Sequence, residues 1–213
     1  KMIINGAANA RTRLILTHGS GSDINSIFMQ KMAENIANQV QLDGGFNVVR
    51  FNFPYMDSII KSGKKRPPDR AEKLIESFKK IIHQQTEDGA ERVFIGGKSM
   101  GGRIASMLSD SEALIKGLIC LGYPFHPPGN PDKLRTEHLY QLQTPCLICQ
   151  GERDRFGTKT EISGYKLPDK IQFSWMTDGD HSFIPFKKSA VTESDNLNHA
   201  SKEVAQFITG LCG

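Results

Sequence analysis

No apolar run in the chain approaches the ~20 residues of a membrane-spanning helix. No basic–apolar–small-residue pattern opens it either. The first absence means that no membrane partner is expected, and the second that the given start shows no secretory-leader pattern. The opening Lys1 is read as a trimmed or processed natural start. Charge of one sign is also lacking: 27 Lys and Arg against 23 Asp and Glu leave +4, too little for a polycationic nucleic-acid binder. The main basic cluster, Lys61 to Arg66 with Pro67, Pro68, Asp69 and Arg70 behind it, has no interleaved aromatics. It reads as a solvated loop, and no nucleic-acid partner is expected. There is no internal repeat, low-complexity tract or linker, and 213 residues suit one α/β-sized domain spanning 1–213.

Cysteine is scarce. Cys120 lies in an apolar run, and Cys146 and Cys149 form a C-x-x-C. No second Cys/His pair has metal-ligand spacing. On an extended strand, residues three apart face opposite sides of the sheet, which argues against a shared metal or a redox pair. Buried thiols in core strands follow, and with them a reducing, cytoplasmic setting.

What is present is an alternation. Short, apolar, often β-branched runs occur at Leu14–Thr17, Phe46–Phe51, Arg92–Ile95, Leu118–Leu121, Pro145–Gln150 and Ile171–Met176. Such runs suit strands buried on both faces. Helix patterns lie between them at 25–39, 69–85, 101–109 and 131–141, with a last helix at Leu197–Leu211. Leu74, Ile75, Phe78, Ile81 and Ile82 form one face of the second helix, and Asp69 is its expected N-cap. Alternating strands and helices predict an open, mostly parallel sheet with helices on both faces. The 122–144 connection is too short for a large lid.

The run Arg92–Ile95 ends in Gly96-Gly97-Lys98-Ser99-Met100-Gly101-Gly102, and a helix pattern follows. This is the strand–turn–helix context in which G-x-S-x-G projects a serine hydroxyl from the sheet edge. Side chains at positions 97 and 101 would strike the neighbouring strand and helix, and glycine also tolerates positive φ. A phosphate-binding P-loop is the rival reading of Gly97-Lys98-Ser99. It requires a glycine where Arg92 stands, and a loop where the strand runs on.

A nucleophilic serine needs a base and a group to orient that base. Where the serine sits in such an elbow, the acid and then the histidine follow it in the chain. Glu152 and Asp154 compete for the acid role after the 145–150 strand; Asp154 lies further into its loop and is favoured. His181 follows the last strand, with Asp180 beside it. Both loops leave strand C-terminal ends, the edge where ligands bind in parallel sheets. His83, His126, His138 and His199 fit this order less well and read as surface or loop residues. The oxyanion donors expected are Met100 N–H, which opens the next helix, and Ser20 N–H in the loop after the first core strand. Gly19 and Gly21 are near alternatives for the second donor, and His18 reads as a brace of that loop.

These stretches carry a resemblance. The chain resembles the small α/β-hydrolases of the dienelactone-hydrolase-like group, especially bacterial relatives of testis-expressed protein 30. Leu-Thr-His-Gly-Ser-Gly-Ser (16–22), Phe-Asn-Phe-Pro-Tyr-Met (51–56), Arg-Pro-Pro-Asp-Arg (66–70) and Gly-Gly-Lys-Ser-Met-Gly-Gly-Arg (96–103) carry it first. Gly-Tyr-Pro-Phe-His-Pro-Pro (122–128), Gly-Glu-Arg-Asp-Arg-Phe-Gly-Thr (151–158) and Gly-Asp-His-Ser-Phe (179–183) extend it over nearly the whole chain. The resemblance implies an α/β-hydrolase fold and gives Ser99, Asp154 and His181 the triad roles. Ser99 stands where dienelactone hydrolase itself has cysteine, so the dienelactone substrate is not carried over. The expectation is a serine hydrolase of a small ester or thioester, with short acyl groups favoured and no metal or organic cofactor. The rival readings are a non-catalytic interaction module on the same fold and a peptidase-like serine hydrolase.

Overall fold

The computed structural model describes residues 2–213, so the reading of Lys1 lies outside it. Seven strands form one sheet in the order β1-β3-β2-β4-β5-β6-β7. They are β1 (Met2–Gly6), β2 (Thr12–Thr17), β3 (Phe46–Phe51), β4 (Arg92–Lys98), β5 (Ile115–Leu121), β6 (Cys146–Gly151) and β7 (Ile171–Met176). All neighbouring pairs are parallel except β1, which runs antiparallel along the β3 edge. The helices are α1 (Ile27–Gln39), α2 (Pro54–Ser62), α3 (Ala71–Glu87), α4 (Met100–Leu108), α5 (Lys159–Ile162) and α6 (Glu193–Cys212). This is the α/β-hydrolase architecture without a large lid.

Strand alternation splits the core in two. Ile15 and Ile95 point to one face, where they meet Leu74, Phe78 and Ile82 of α3 and Ile104 and Leu108 of α4. Leu14, Leu16 and Phe94 point to the other, against Met29, Met32 and Ile36 of α1 and Leu197, Val204 and Ile208 of α6. Each fully buried Leu, Ile or Phe contributes roughly 1.5–3 kcal/mol relative to exposure. Cys146 belongs to the first cluster and Cys149 to the second, so the C-x-x-C thiols face opposite sides of β6. No helix among the described residues is long and apolar enough to cross a membrane.

Several elements differ from the sequence expectation. The 131–141 helix is absent; that stretch holds only a 3-10 turn at Glu137–Gln141. Its apolar residues lack helical spacing, with Leu139 buried and Leu134 exposed, and Pro131 follows a proline pair. Asp69 does not cap α3. Arg70 occupies the N-cap with no side-chain bond, while Asp69 Oδ1 accepts from Arg66 at 2.7 Å and Lys73 at 3.2 Å. β1 and α2 were not foreseen: each is short, and α2 buries only Tyr55 and Met56. The last helix begins four residues earlier than expected. Thr192 and Asp195 form a capping box at its start, as Thr158 and Glu161 do for α5.

The sheet order places the site. β3 lies to one side of β2 and β4 to the other, so the chains leaving β2 and β4 diverge at their C-terminal ends. This switch point opens a crevice between the 18–22 loop and the residue after β4.

Candidate active site

Ser99 follows β4 directly and precedes α4, with φ 50° and ψ −114°. Positive φ is uncommon for a residue with a Cβ and is held only by surrounding structure. The glycines supply that surrounding. A Cβ on Gly97 would lie 2.5 Å from Thr17 O, and one on Gly101 2.7 Å from Thr17 O and 2.8 Å from His18 O. Strand β2, helix α4 and the elbow are thus packed backbone to backbone. Close approach, not positive φ, is what requires glycine at 97 and 101; the positive φ falls on Ser99 itself.

Ser99 Oγ lies 2.8 Å from His181 Nε2, and His181 Nδ1 lies 2.7 Å from Asp154 Oδ2. With Nδ1 protonated, His181 donates to Asp154 and presents a lone pair to the serine hydroxyl. Asp154 is fully buried. Its Oδ2 also accepts from Gln150 Nε2 at 2.9 Å, and its Oδ1 from Phe156 N–H at 2.9 Å. Gln150 is fixed in turn by Tyr123, whose N–H donates to its Oε1 at 2.7 Å. Burial lowers the His181 pKa most; the bond to Asp154 opposes this, and the charge on Lys98 adds to the lowering. The Phe156 ring packs on the imidazole with centroids 4.2 Å apart.

The competing acids point elsewhere. Glu152 pairs with Lys159 at 2.8 Å and accepts from Asp178 N–H at 3.0 Å. Asp180 Oδ1 accepts from the N–H groups of Ser182 and Ile184, which shapes the His181 turn from within. Arg153 clamps that turn from outside, donating to the carbonyls of Asp178 at 2.6 Å and Ile184 at 2.8 Å.

His18 is buried and bonded at both nitrogens. Nδ1 donates to Gly19 O at 2.7 Å, and Nε2 accepts from Phe53 N–H at 3.1 Å. It braces the loop and bonds none of Ser99, Asp154 and His181. Tyr55 Oη donates to Ser20 O at 3.1 Å and fixes the next residue. Ser20, Ser99, Met100, Arg103, Arg135 and Phe156 line one cleft of about 500 Å³. None of residues 61–70 lines it. Of the other histidines, His83 and His199 are exposed. His126 is buried and His138 half-buried, both in the connection between β5 and β6 rather than on the surface. Their loop folds inward, with His126 N–H donating to Phe156 O at 3.1 Å and His138 Nε2 lying 2.8 Å from Ser106 Oγ.

Sequence reasoning missed Lys98, Gln150, Phe156, Arg103 and Arg135 as parts of this site. Lys98 and Arg103 carry a signal, since they lie one residue before and four after Ser99. Lys98 is buried and donates through Nζ to His181 O, so it does not cradle a phosphate as the P-loop reading requires. Gln150, Phe156 and Arg135 carry no sequence signal.

Residues 10–209 match the model of an alpha/beta hydrolase domain family. Solved structures of similar fold include an alpha-beta serine hydrolase homologue from Coxiella burnetii, 16% identical, with TM-score 0.71 over 97% of this chain and 90% of that one. Est1E from Butyrivibrio proteoclasticus, also known with ferulic acid bound, is 12% identical with TM-score 0.71 over 99% of this chain and 93% of its own. A lidless α/β serine hydrolase from Xanthomonas campestris is 16% identical, with TM-score 0.68 over 97% of this chain and 88% of that one.

Proposed function

The chain belongs to the alpha/beta hydrolase family, and we propose that it is a serine hydrolase cleaving a small carboxylic ester or thioester. One observation carries this reading: the unbroken path from Ser99 Oγ through His181 to Asp154, with contacts of 2.8 and 2.7 Å. His181 Nε2 takes the Ser99 proton as Oγ attacks the carbonyl carbon. Asp154 holds the imidazole in that tautomer and stabilises its protonated form. Met100 N–H, at the positive end of α4, and Ser20 N–H receive the developing oxyanion. His181 then passes its proton to the leaving alcohol or thiol. Water, deprotonated by the same nitrogen, releases the acid from the acyl-enzyme.

A non-catalytic binding module would not need Ser99 at φ 50°, a conformation that costs on the order of 1–3 kcal/mol. That argument favours the catalytic reading over the interaction-module one. Kinship with the dienelactone-hydrolase-like group, and a cytoplasmic setting for its buried thiols, belong to the same proposal. Labelling by a fluorophosphonate tests it: the wild type reacts and Ser99→Ala does not. Equal labelling of both proteins would remove the activated serine. A panel of esters and thioesters, with Ser99→Ala as control, then sorts the substrates.

A further inference from the structure

Two arginines line the cleft beside Ser99. Arg103 sits on α4 four residues after Ser99, about 6 Å further along the helix axis. Arg135 comes from the connection between β5 and β6 and lines the same cleft. Both also line an adjoining cleft of about 590 Å³ that runs on past Met107 and Leu134. The arginines therefore stand where the two clefts meet.

Their bonding is incomplete. Among the described residues, neither side chain forms a salt bridge or donates a hydrogen bond, although Arg13, Arg50, Arg66 and Arg153 all do. Arg103 Nε is buried with no partner. Buried donors are nearly always satisfied in folded proteins, so an orphaned N–H on an arginine that lines a cleft points to an acceptor from outside the chain. The pair also repel each other. Burial, and then the Arg103 charge, depress the Arg135 guanidinium below its ordinary range, and burial and Arg103 likewise lower His138. Glu137 and Lys133 border the adjoining cleft, and Glu137 forms no salt bridge with either arginine. A bound anion would relieve the repulsion and supply the acceptor. The planar fork of arginine suits a carboxylate or a phosphate, which accept two parallel N–H bonds.

We propose that Arg103 and Arg135 form an anion subsite, so that the substrate cleaved at Ser99 carries a carboxylate or phosphate a short spacer away from its scissile carbonyl. This rests on the hydrolase reading above and narrows its substrate class. The neutral remainder of the substrate follows the groove towards Met107 and Leu134, which are partly exposed at 38% and 43%.

The test pairs anionic substrates with neutral ones of matched shape. 4-Nitrophenyl hydrogen adipate against 4-nitrophenyl hexanoate places a carboxylate on the acyl side. 4-Acetoxyphenyl phosphate against 4-methylphenyl acetate places a phosphate on the leaving side. In at least one pair the anionic ester is expected to have kcat/KM higher by about 10- to 100-fold, the range of charge-assisted hydrogen bonds. In Arg135→Gln and Arg103→Gln that ratio falls towards unity, and in Arg135→Lys it is partly kept. No anionic preference in either pair, or a preference untouched by both glutamine variants, overturns the subsite. A binding arm separates this from failure of the hydrolase reading. Phenyl phosphate and phenylacetate are titrated calorimetrically into Ser99→Ala and into Ser99→Ala/Arg135→Gln. Binding that depends on Arg135 while no ester is cleaved sinks the hydrolase and keeps the subsite. Cleavage without anionic preference does the reverse.

Discussion

Lys98 Nζ donates to the backbone carbonyl of His181, so the residue before the serine nucleophile of the proposed triad holds the loop that carries its base. The ammonium is buried, pushed down to about 8 by desolvation, and lies 4.8 Å from the Phe28 ring centroid and 5.5 Å from that of Phe183. Gly122, at φ 69°, leaves room for the contact, since a Cβ there would meet Lys98 Nζ at 2.8 Å.

The Lys98 charge and His181 are coupled. A positive charge nearby disfavours protonation of the imidazole, and Lys98 adds to the lowering of the His181 pKa. The acidic limb of kcat/KM reports that group in the free enzyme and should fall below the ordinary histidine value. Lys98→Met removes the charge and moves the limb to higher pH. A limb that stays in place in an active, folded Lys98→Met protein would contradict the coupling.

Ser99→Ala should leave the fold intact, because it removes one hydroxyl at the cleft. Turnover on any true substrate should fall by up to ~10⁶-fold, the scale seen when a serine triad loses its nucleophile. Turnover equal to wild type, in protein cleared of contaminating esterase, removes Ser99 from the mechanism.

Asp154→Asn should cost ~10⁴-fold in kcat, because an amide favours the wrong imidazole tautomer. Glu152→Gln should cost far less, since Glu152 faces Lys159 and Asp178. The reverse ranking would transfer the acid role to Glu152.

Stability should decline as pH drops below about 6.5, the unfolded histidine value. His18 and His181 both have lowered pKa values, led by burial. The unfolded chain then binds more protons than the native one below 6.5, so native stability is lost as pH falls towards the folded values. Protonating His18 at Nε2 also turns an acceptor of Phe53 N–H into a second donor. Urea midpoints measured from pH 7.5 to 5 should slope less in His18→Gln than in wild type. Identical slopes would rule out His18 as a contributor.

Short acyl chains should be favoured among neutral esters, because the 122–144 connection folds as loop and a 3-10 turn, and the described residues hold no lid-sized element there to enclose a long chain. Burying a long chain would gain ~0.8 kcal/mol per CH₂ only where such a tunnel exists. A series of kcat/KM values from acetyl to palmitoyl esters, below their micellar concentrations, decides this; a steady rise towards palmitoyl goes against it.

The core strands were legible because both faces of a central parallel strand are buried, which writes a continuous apolar run into the chain. Their ends were less so. β4 continues through Gly96, Gly97 and Lys98, residues with poor strand preference, because β2 and β5 pair with it on both sides. The antiparallel β1 gave little signal, since its burial is only partial and its apolar run is three residues long. The early start of α6 was readable in the Thr192–Asp195 spacing, which the apolar pattern alone overlooks.

By itself the sequence determined which chemistry was available, in which chain order, and on which strand ends: a serine between close-packed glycines, then acids, then His181. These are local facts, fixed by backbone sterics and burial pattern. Only the tertiary structure decided between Glu152 and Asp154 as the residue beside His181, two residues apart in one loop, because that depends on which way a turn delivers each carboxylate. It alone brought Lys98 beneath the His181 loop and Arg135 opposite Arg103, residues 83 and 32 positions apart. Side-chain direction in loops and long-range charge proximity are set by packing between elements, and no periodicity in the chain encodes them.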